Sequence, residues 1–248
     1  MEQHPNWANL GSPLKYFLLN ILELRHYGSL SFSFYENDSK DNTASRLTEW
    51  GRARHEKNTI ICETLGKPRY RSLPADKGPE RLQLYAEMRN RTLEAYDGED
   101  WVLFLEPDIV YNPQTLLYLL QDGPGDIRSP LSFSHAHNLF SFYDPLSTRD
   151  MAGTKYQWAW PPANTPEDRL SILRGQPLEV SSTFNCFCLI SGAVIQAGVR
   201  FSIAGEGHSE ASSFCQSARE KGFKVYLFPS VRYSVIHPLA QQPWSENS

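Results

Sequence analysis

The apolar run Trp101-Val102-Leu103-Phe104-Leu105 stops abruptly at Glu106-Pro107-Asp108. Five consecutive apolar residues suit a strand buried on both faces, and ligands of open α/β sheets gather at the carboxyl ends of such strands. Two carboxylates two residues apart leave the pleat together there. Hard oxygen donors at that spacing can hold Mg²⁺ or Mn²⁺, and a cation so held neutralises a diphosphate. A bare Glu-x-Asp also reads as a solvated turn, since acidic residues are mostly exposed. The buried strand directly before it favours the cation site.

Three further groups carry chemistry. Ser33 to Thr43 is a strand running into Glu36, Asn37, Asp38, Ser39 and Asp41, whose acceptors suit a ribose or a base. The same residues suit Asx-turns and the cap of a following helix. Gly205-Glu206-Gly207-His208-Ser209-Glu210 opens a helix, with Glu210 in its first turn, where the dipole favours a negative charge. Beyond it the chain reaches Val235-Ile236-His237, and His237 reads either as a satisfied core histidine or as a metal ligand. Arg89 and Arg91, on a helix feeding the apolar strand, offer guanidinium groups for a phosphate or simply a charged surface.

The elements that must position these groups follow from periodicity. Residues 12–27 carry a helical stripe of Leu14, Phe17, Leu18, Ile21 and Leu22 that Gly28 ends. Strands are expected at 30–35, 59–62, 101–105, 127–133, 184–190, 224–228 and 232–236. Helices are expected at 43–57, 80–96, 115–121, 193–198 and 209–221. Residues 66–80 read as an exposed loop, and 134–180 as a long irregular stretch whose aromatics argue for order. Helices alternating with apolar strands predict α/β layers around a mainly parallel sheet.

Composition narrows the function classes. The chain has 248 residues, 40% of them hydrophobic, enough to bury a core and exclude wholesale disorder. A formal net charge of −4 leaves no positive field for a nucleic-acid backbone. No apolar run approaches the roughly 20 residues that span a bilayer, and no signal peptide is recognisable. The four cysteines, Cys62, Cys186, Cys188 and Cys215, have no zinc-site spacing and read as buried free thiols. Cys186 and Cys188 are expected on the same side of one strand.

Together these residues resemble a GT-A glycosyltransferase, and more narrowly the fungal capsule-associated α-1,3-mannosyltransferase family. The resemblance rests on Ser33, Tyr35, Glu36, Ser39, Asp41 and Thr43 in register, and on Arg89-Asn90 before Val102 to Asp108. It continues through Phe142-Tyr143-Asp144, Arg149-Asp150 with Gly153, Asn185 to Phe187, and Ser209, Glu210 and Cys215. The family's acidic turn is closer to Asn-Asp than to Glu-Pro-Asp, and its last strand tends to end in Tyr, where this chain has His237.

The resemblance implies one GT-A-like domain: a nucleotide-sugar half over 12–133, an acceptor half over 134–237 and a tail over 238–248. It implies transfer of a sugar, mannose first, from GDP-mannose or a UDP-sugar to a glycan or other hydroxyl acceptor. Glu106, Asp108 and His237 would hold Mn²⁺ or Mg²⁺, with Asp108 and Glu210 the candidate catalytic residues. Glu36, Asp38, Asp41 and Arg89 would bind the donor, and Trp158 or Trp160 would pack on sugar faces. Competing classes are a catalytically silent carbohydrate-binding module and a sugar nucleotidyltransferase, though no glycine-rich phosphate loop follows a first strand. Residues 1–11 do not supply the usual first strand, so a truncated product or a rebuilt first strand is expected. Family relatives are Golgi enzymes with an amino-terminal anchor. The sequons at Asn37 and Asn90 fall in the proposed donor site, so either they are unoccupied in a Golgi lumen, or the protein avoids the secretory lumen in a viral, bacterial or soluble cytoplasmic setting.

Overall fold

A computed structural model of the chain describes residues 13–66, 78–121, 123–136, 139–205 and 207–237. The expected first-strand region, most of the loop after residue 66, Glu206 and the tail after His237 lie outside the described residues. The chain enters on α1 (Pro13–Glu23), whose apolar stripe buries Phe17, Leu18 and Ile21, and a 3-10 turn follows over Leu24–Tyr27. Strands β1 (Phe32–Asn37) and β2 (Asn58–Glu63) pair in parallel around α2 (Thr43–Arg52). Their rings close this corner: Phe32 and Phe34 both meet Trp50 edge-on.

Helix α3 (Gly78–Leu93) leads to β3 (Trp101–Leu105), which begins and ends where the apolar run does. After α4 (Gln114–Leu120) come β4 (Ile127–Pro130), β5 (Ser132–Ala136) and β6 (Leu139–Phe142). The remaining elements are α5 (Pro166–Leu173), β7 (Leu178–Glu179), β8 (Phe187–Ser191), α6 (Gly192–Gln196), α7 (Glu210–Glu220), β9 (Val225–Phe228) and β10 (Val235–His237). The central sheet runs β3-β8-β4-β9-β7. β3, β4 and β9 share one direction, while β8 lies antiparallel between β3 and β4, and β7 is an antiparallel edge. The expected α/β, GT-A-like class with helices flanking the sheet stands. A smaller sheet, β10-β5-β6, stands beside the central one.

Several local expectations need correction. Helix α2 stops at Arg52, five residues before the expected end, because Asn58 turns back and donates to the Gly51 carbonyl at 3.1 Å. The run 127–133 divides at Leu131: β4 joins the central sheet and β5 the small one. The stretch expected to be irregular holds β6, α5 and β7, with Thr165 capping α5 through the Asp168 amide at 3.1 Å. Cys186 and Cys188 do not share a face. Cys186 has φ +61° just before β8 begins, which breaks the alternation and sends the two thiols into different core clusters. Three cysteines are buried as expected, whereas Cys62 is exposed.

Two close approaches fix the sheet against its helices. Gly192, at the junction of β8 and α6, donates to the Asp100 carbonyl at 2.7 Å, and any side chain there would run into the Glu99 carbonyl oxygen. Arg128, 7% exposed, fans its guanidinium onto the carbonyls of Leu119, Gln121, Gly123 and Gly125 at 2.6–3.0 Å. Among the described residues Gln121, Gly123 and Gly125 belong to no strand, so this cation satisfies acceptors that water or strand pairing would otherwise serve. Its carbon lies 4.8 Å from the Trp101 ring centre, tying α4 to β3. Replacing Arg128 with Met is expected to destabilise the fold by about 3–5 kcal/mol, because several buried carbonyls lose their donor at once. Chemical denaturation checks this, and a loss under about 1 kcal/mol would show that the turn re-forms around water.

Candidate active site

The end of β3 meets the end of β10 through a short bridge. Val110 and Ile236 exchange both backbone hydrogen bonds at 2.8 Å in an antiparallel bridge. That register sets Ile109 opposite His237 and brings Asp108 within reach: His237 Nε2 lies 3.3 Å from Asp108 Oδ2. Ligand atoms of Glu106, Asp108 and His237 all lie within 4.8 Å of one another. Two carboxylates and an imidazole suit a hard to borderline divalent cation, Mg²⁺ or Mn²⁺. The ring of His237 is buried and stacks on Tyr143, centres 4.0 Å apart, which fixes the plane of the imidazole.

The neighbouring wall is carboxylate and guanidinium. Arg89 Nη2 donates to Glu106 Oε1 at 3.0 Å and lies 3.4 Å from Glu210 Oε1. The guanidinium rests on the Phe184 ring at 4.3 Å. Burial works against its charge, but Glu210 and Glu106 more than offset that, and the guanidinium is held protonated. Burial raises the Glu106 carboxyl above its ordinary range; Arg89 opposes the shift and Asp108 adds to it. Beside Arg89, Asn90 brackets the backbone of Phe201, donating to its carbonyl and accepting from its amide, both at 2.9 Å. The Arg89-Asn90 pair thus faces two ways, one residue holding the acids and the other anchoring α3.

Glu210, 6% exposed, is the first residue of α7. Ser209 caps that helix reciprocally with Ser212, its hydroxyl accepting from the Ser212 amide at 3.1 Å and Ser212 returning the bond at 2.9 Å. Capping therefore falls to Ser209, and the Glu210 carboxylate is turned onto Arg89.

Sequence reasoning assigned no role to the floor of the site. Asn185 and Cys186 both have positive φ, +52° and +61°, which is uncommon for residues with side chains. Their turn is held by Asp144, which accepts the Asn185 amide at 3.2 Å, and by the Asn185 side chain, which accepts from Ser132 at 3.0 Å and donates to Thr183 at 2.8 Å. The Cys186 carbonyl accepts the Glu106 amide at 3.0 Å. Burial, together with the nearby carboxylates of Glu106 and Asp144, pushes the Cys186 thiol well above its ordinary range, so it is a neutral wall. Phe142-Tyr143-Asp144 and Asn185 to Phe187 stood out in the sequence only as part of a resemblance. No spacing rule announces that they meet.

The structure brings Glu106, Asp108, His237, Arg89 and Glu210 together. It does not bring Glu36, Asp38 and Asp41 into that cluster. They stand at the end of β1, where Glu36 accepts the Ser39 amide at 2.9 Å, Asp38 the Gly66 amide at 3.1 Å and Asp41 the Thr43 amide at 2.9 Å. The Gly66 amide holds Asp38, and the Thr43 hydroxyl followed by its amide holds Asp41, below the usual carboxylate range. Among the described residues no helix is long and apolar enough to cross a membrane.

Compared with known proteins, residues 10–220 match a family model described as Cryptococcal mannosyltransferase 1. That span holds every residue of the cluster except His237. Among solved structures the chain is similar to one titled as the inositol-1-phosphate CTP transferase from T. maritima, at 9% identity and a TM-score of 0.44, covering 91% of this chain and 75% of that one. No curated protein matches significantly.

Calorimetric titration with Mn²⁺ is expected to show one site that Asp108→Ala abolishes. Arg89→Met, which removes the hydrogen bond on Glu106, is expected to weaken it by about 10–100-fold. Equal Mn²⁺ affinity in wild type and Asp108→Ala would rule this cluster out as the cation site.

Proposed function

Because the chain belongs to the Cryptococcal mannosyltransferase 1 family, we propose that it is a metal-dependent glycosyltransferase. It moves a sugar, mannose the first candidate, from GDP-mannose or a UDP-sugar to a hydroxyl of a glycan acceptor. Both halves of the chain serve one site in a single GT-A-like domain. The observation that supports this most directly is the convergence of Glu106, Asp108 and His237 beside the Arg89–Glu210 pair.

Those three residues would hold Mn²⁺ or Mg²⁺, which when bound supplies positive charge to a departing diphosphate. The chain's own groups set the geometry. Tyr143 fixes the His237 ring, and Arg89 holds Glu106 in place through its hydrogen bond. Arg89 thus acts on the donor side by positioning an acid, with its charge shared between two carboxylates. Glu210 stands at the N-terminus of α7 and is paired with the Arg89 guanidinium. Its carboxylate accepts a hydrogen bond from the acceptor hydroxyl, orienting it and, in an inverting transfer, taking its proton. The donor's nucleoside is assigned to the loop after β1, which Glu36, Asp38 and Asp41 hold in shape.

A panel of nucleotide sugars with Mn²⁺, read by released nucleotide and by product, tests the proposal. One GDP- or UDP-sugar is expected to turn over, and Asp108→Ala to lower the rate at least about 100-fold. Glu210→Gln is expected to keep donor binding and to lose transfer by about 10²–10⁴-fold. If no donor binds and Asp108→Ala still binds glycans as wild type does, the protein is a carbohydrate-binding module instead.

A further inference from the structure

Two tryptophans stand in water on one short loop. Trp158 is 57% exposed and Trp160 41%, although large aromatics usually bury most of their surface. The loop is closed at its base, the Gln157 amide donating to the Pro162 carbonyl at 2.9 Å. Tyr156 beneath it is buried and hydrogen-bonds through its amide to Thr148 at 3.0 Å. A fixed loop that presents indoles to solvent is organised to receive a flat apolar face.

The side on which it sits is set by strand register. Ile236 pairs with Phe133 and His237 with Ser134, so Phe133 and His237 point to opposite faces of the small sheet. Trp160 packs on Phe133, ring centres 5.4 Å apart, and therefore lies on the face away from the cation cluster. Phe133 belongs to the same core cluster as Ala211, the residue after Glu210. The loop's root is tied to that helix as well: Arg149 donates to the Gly207 carbonyl, just before α7. Along the sheet, Trp158 accepts from the Phe142 amide at 3.3 Å on the outer edge of β6. β6 is two strand spacings from β10 and the Trp158 backbone a third, about 14 Å in all.

We propose that Trp158 and Trp160 form a subsite for the acceptor, not the donor, stacking on a pyranose ring several units back from the reacting hydroxyl. The apolar face of C–H groups on such a ring matches an indole, and its edge hydroxyls suit the exposed Gln157 side chain. This assignment rests on the glycosyltransferase reading. It makes the enzyme a reader of chain length: oligosaccharides reach the platform and monosaccharides do not.

Two measurements test it. Calorimetry with an oligosaccharide and no donor is expected to show binding that Trp158→Ala/Trp160→Ala weakens about tenfold or more, and that Trp158→Phe/Trp160→Phe largely restores. In transfer assays the Ala pair is expected to raise the oligosaccharide KM by a similar factor while the monosaccharide KM stays put, narrowing the preference for long acceptors. Circular dichroism melting confirms that the variants are folded. Turnover with equal oligosaccharide binding in wild type and the Ala pair overturns the platform and leaves the transferase standing. Tryptophan-dependent glycan binding without any turnover removes the transferase and with it the acceptor assignment. Self-association that the Ala pair abolishes gives the patch to a second copy of the chain and overturns the proposal.

Discussion

One buried guanidinium holds the site together. Arg89 comes from α3, Glu106 from the end of β3 and Glu210 from the start of α7, three elements far apart in sequence. A charge taken out of water is tolerated only when paired, and Arg89 pairs with both the buried Glu210 and the partly exposed Glu106. Arg89 on its own would be costly beside Phe184, and the two acids on their own would repel each other and Asp108. The cluster therefore fixes the distance between the β3 end and α7. A cation held by Glu106, Asp108 and His237 would stand at a set distance from Glu210. In a transferase that distance separates the leaving group from the incoming hydroxyl.

The sheet is shaped to allow this. β8 runs antiparallel between β3 and β4, so its start lies at the carboxyl ends of its neighbours, beside the acids. A regular strand start would place alternating side chains into the cluster. The two left-handed residues Asn185 and Cys186 instead offer a carbonyl to the Glu106 amide and a neutral thiol to its carboxylate. Side chains are strained there, and Asp144, Ser132 and Thr183 supply the hydrogen bonds that hold them. Strain offset by a buried polar network is a common way to keep a reactive surface rigid.

The legible and illegible parts of the sequence divide along physical lines. Trp101 to Leu105 was readable to the residue because its neighbours on both sides are apolar and its ends are a polar turn and an acidic one. The Glu106-Pro107-Asp108 turn was readable for the same reason. The break at Leu131 was not, since one expected strand served two sheets and periodicity carries no mark of which partner a strand takes. The elements within 139–180 were also hidden, although the aromatics argued for order there: the arrangement depends on side-chain bonds such as Asn164 to Asp150, which leave no periodic trace. Glu36, Asp38 and Asp41 read in the sequence as groups that suit either a ligand or a local turn. The structure shows the turn bonds: Glu36 and Asp41 accept from amides two or three residues on, and Asp38 accepts from the Gly66 amide across the loop.

The same distinction explains why the two sides of the site are built differently. The cation side uses strand ends, where register alone places Asp108 against His237 and Glu106 against Cys186. The Glu210 side is bordered by irregular chain between β6 and β7 and by the turn before α7, joined by Arg149. Regular strands hold groups to fractions of an ångström, which charge neutralisation needs. A loop braced at a few points can change length and side chains without disturbing those strands. Specificity for one acceptor would thus be free to vary on one side while the chemistry stays fixed on the other. Arg89 is the link between them, since it touches an acid from each side.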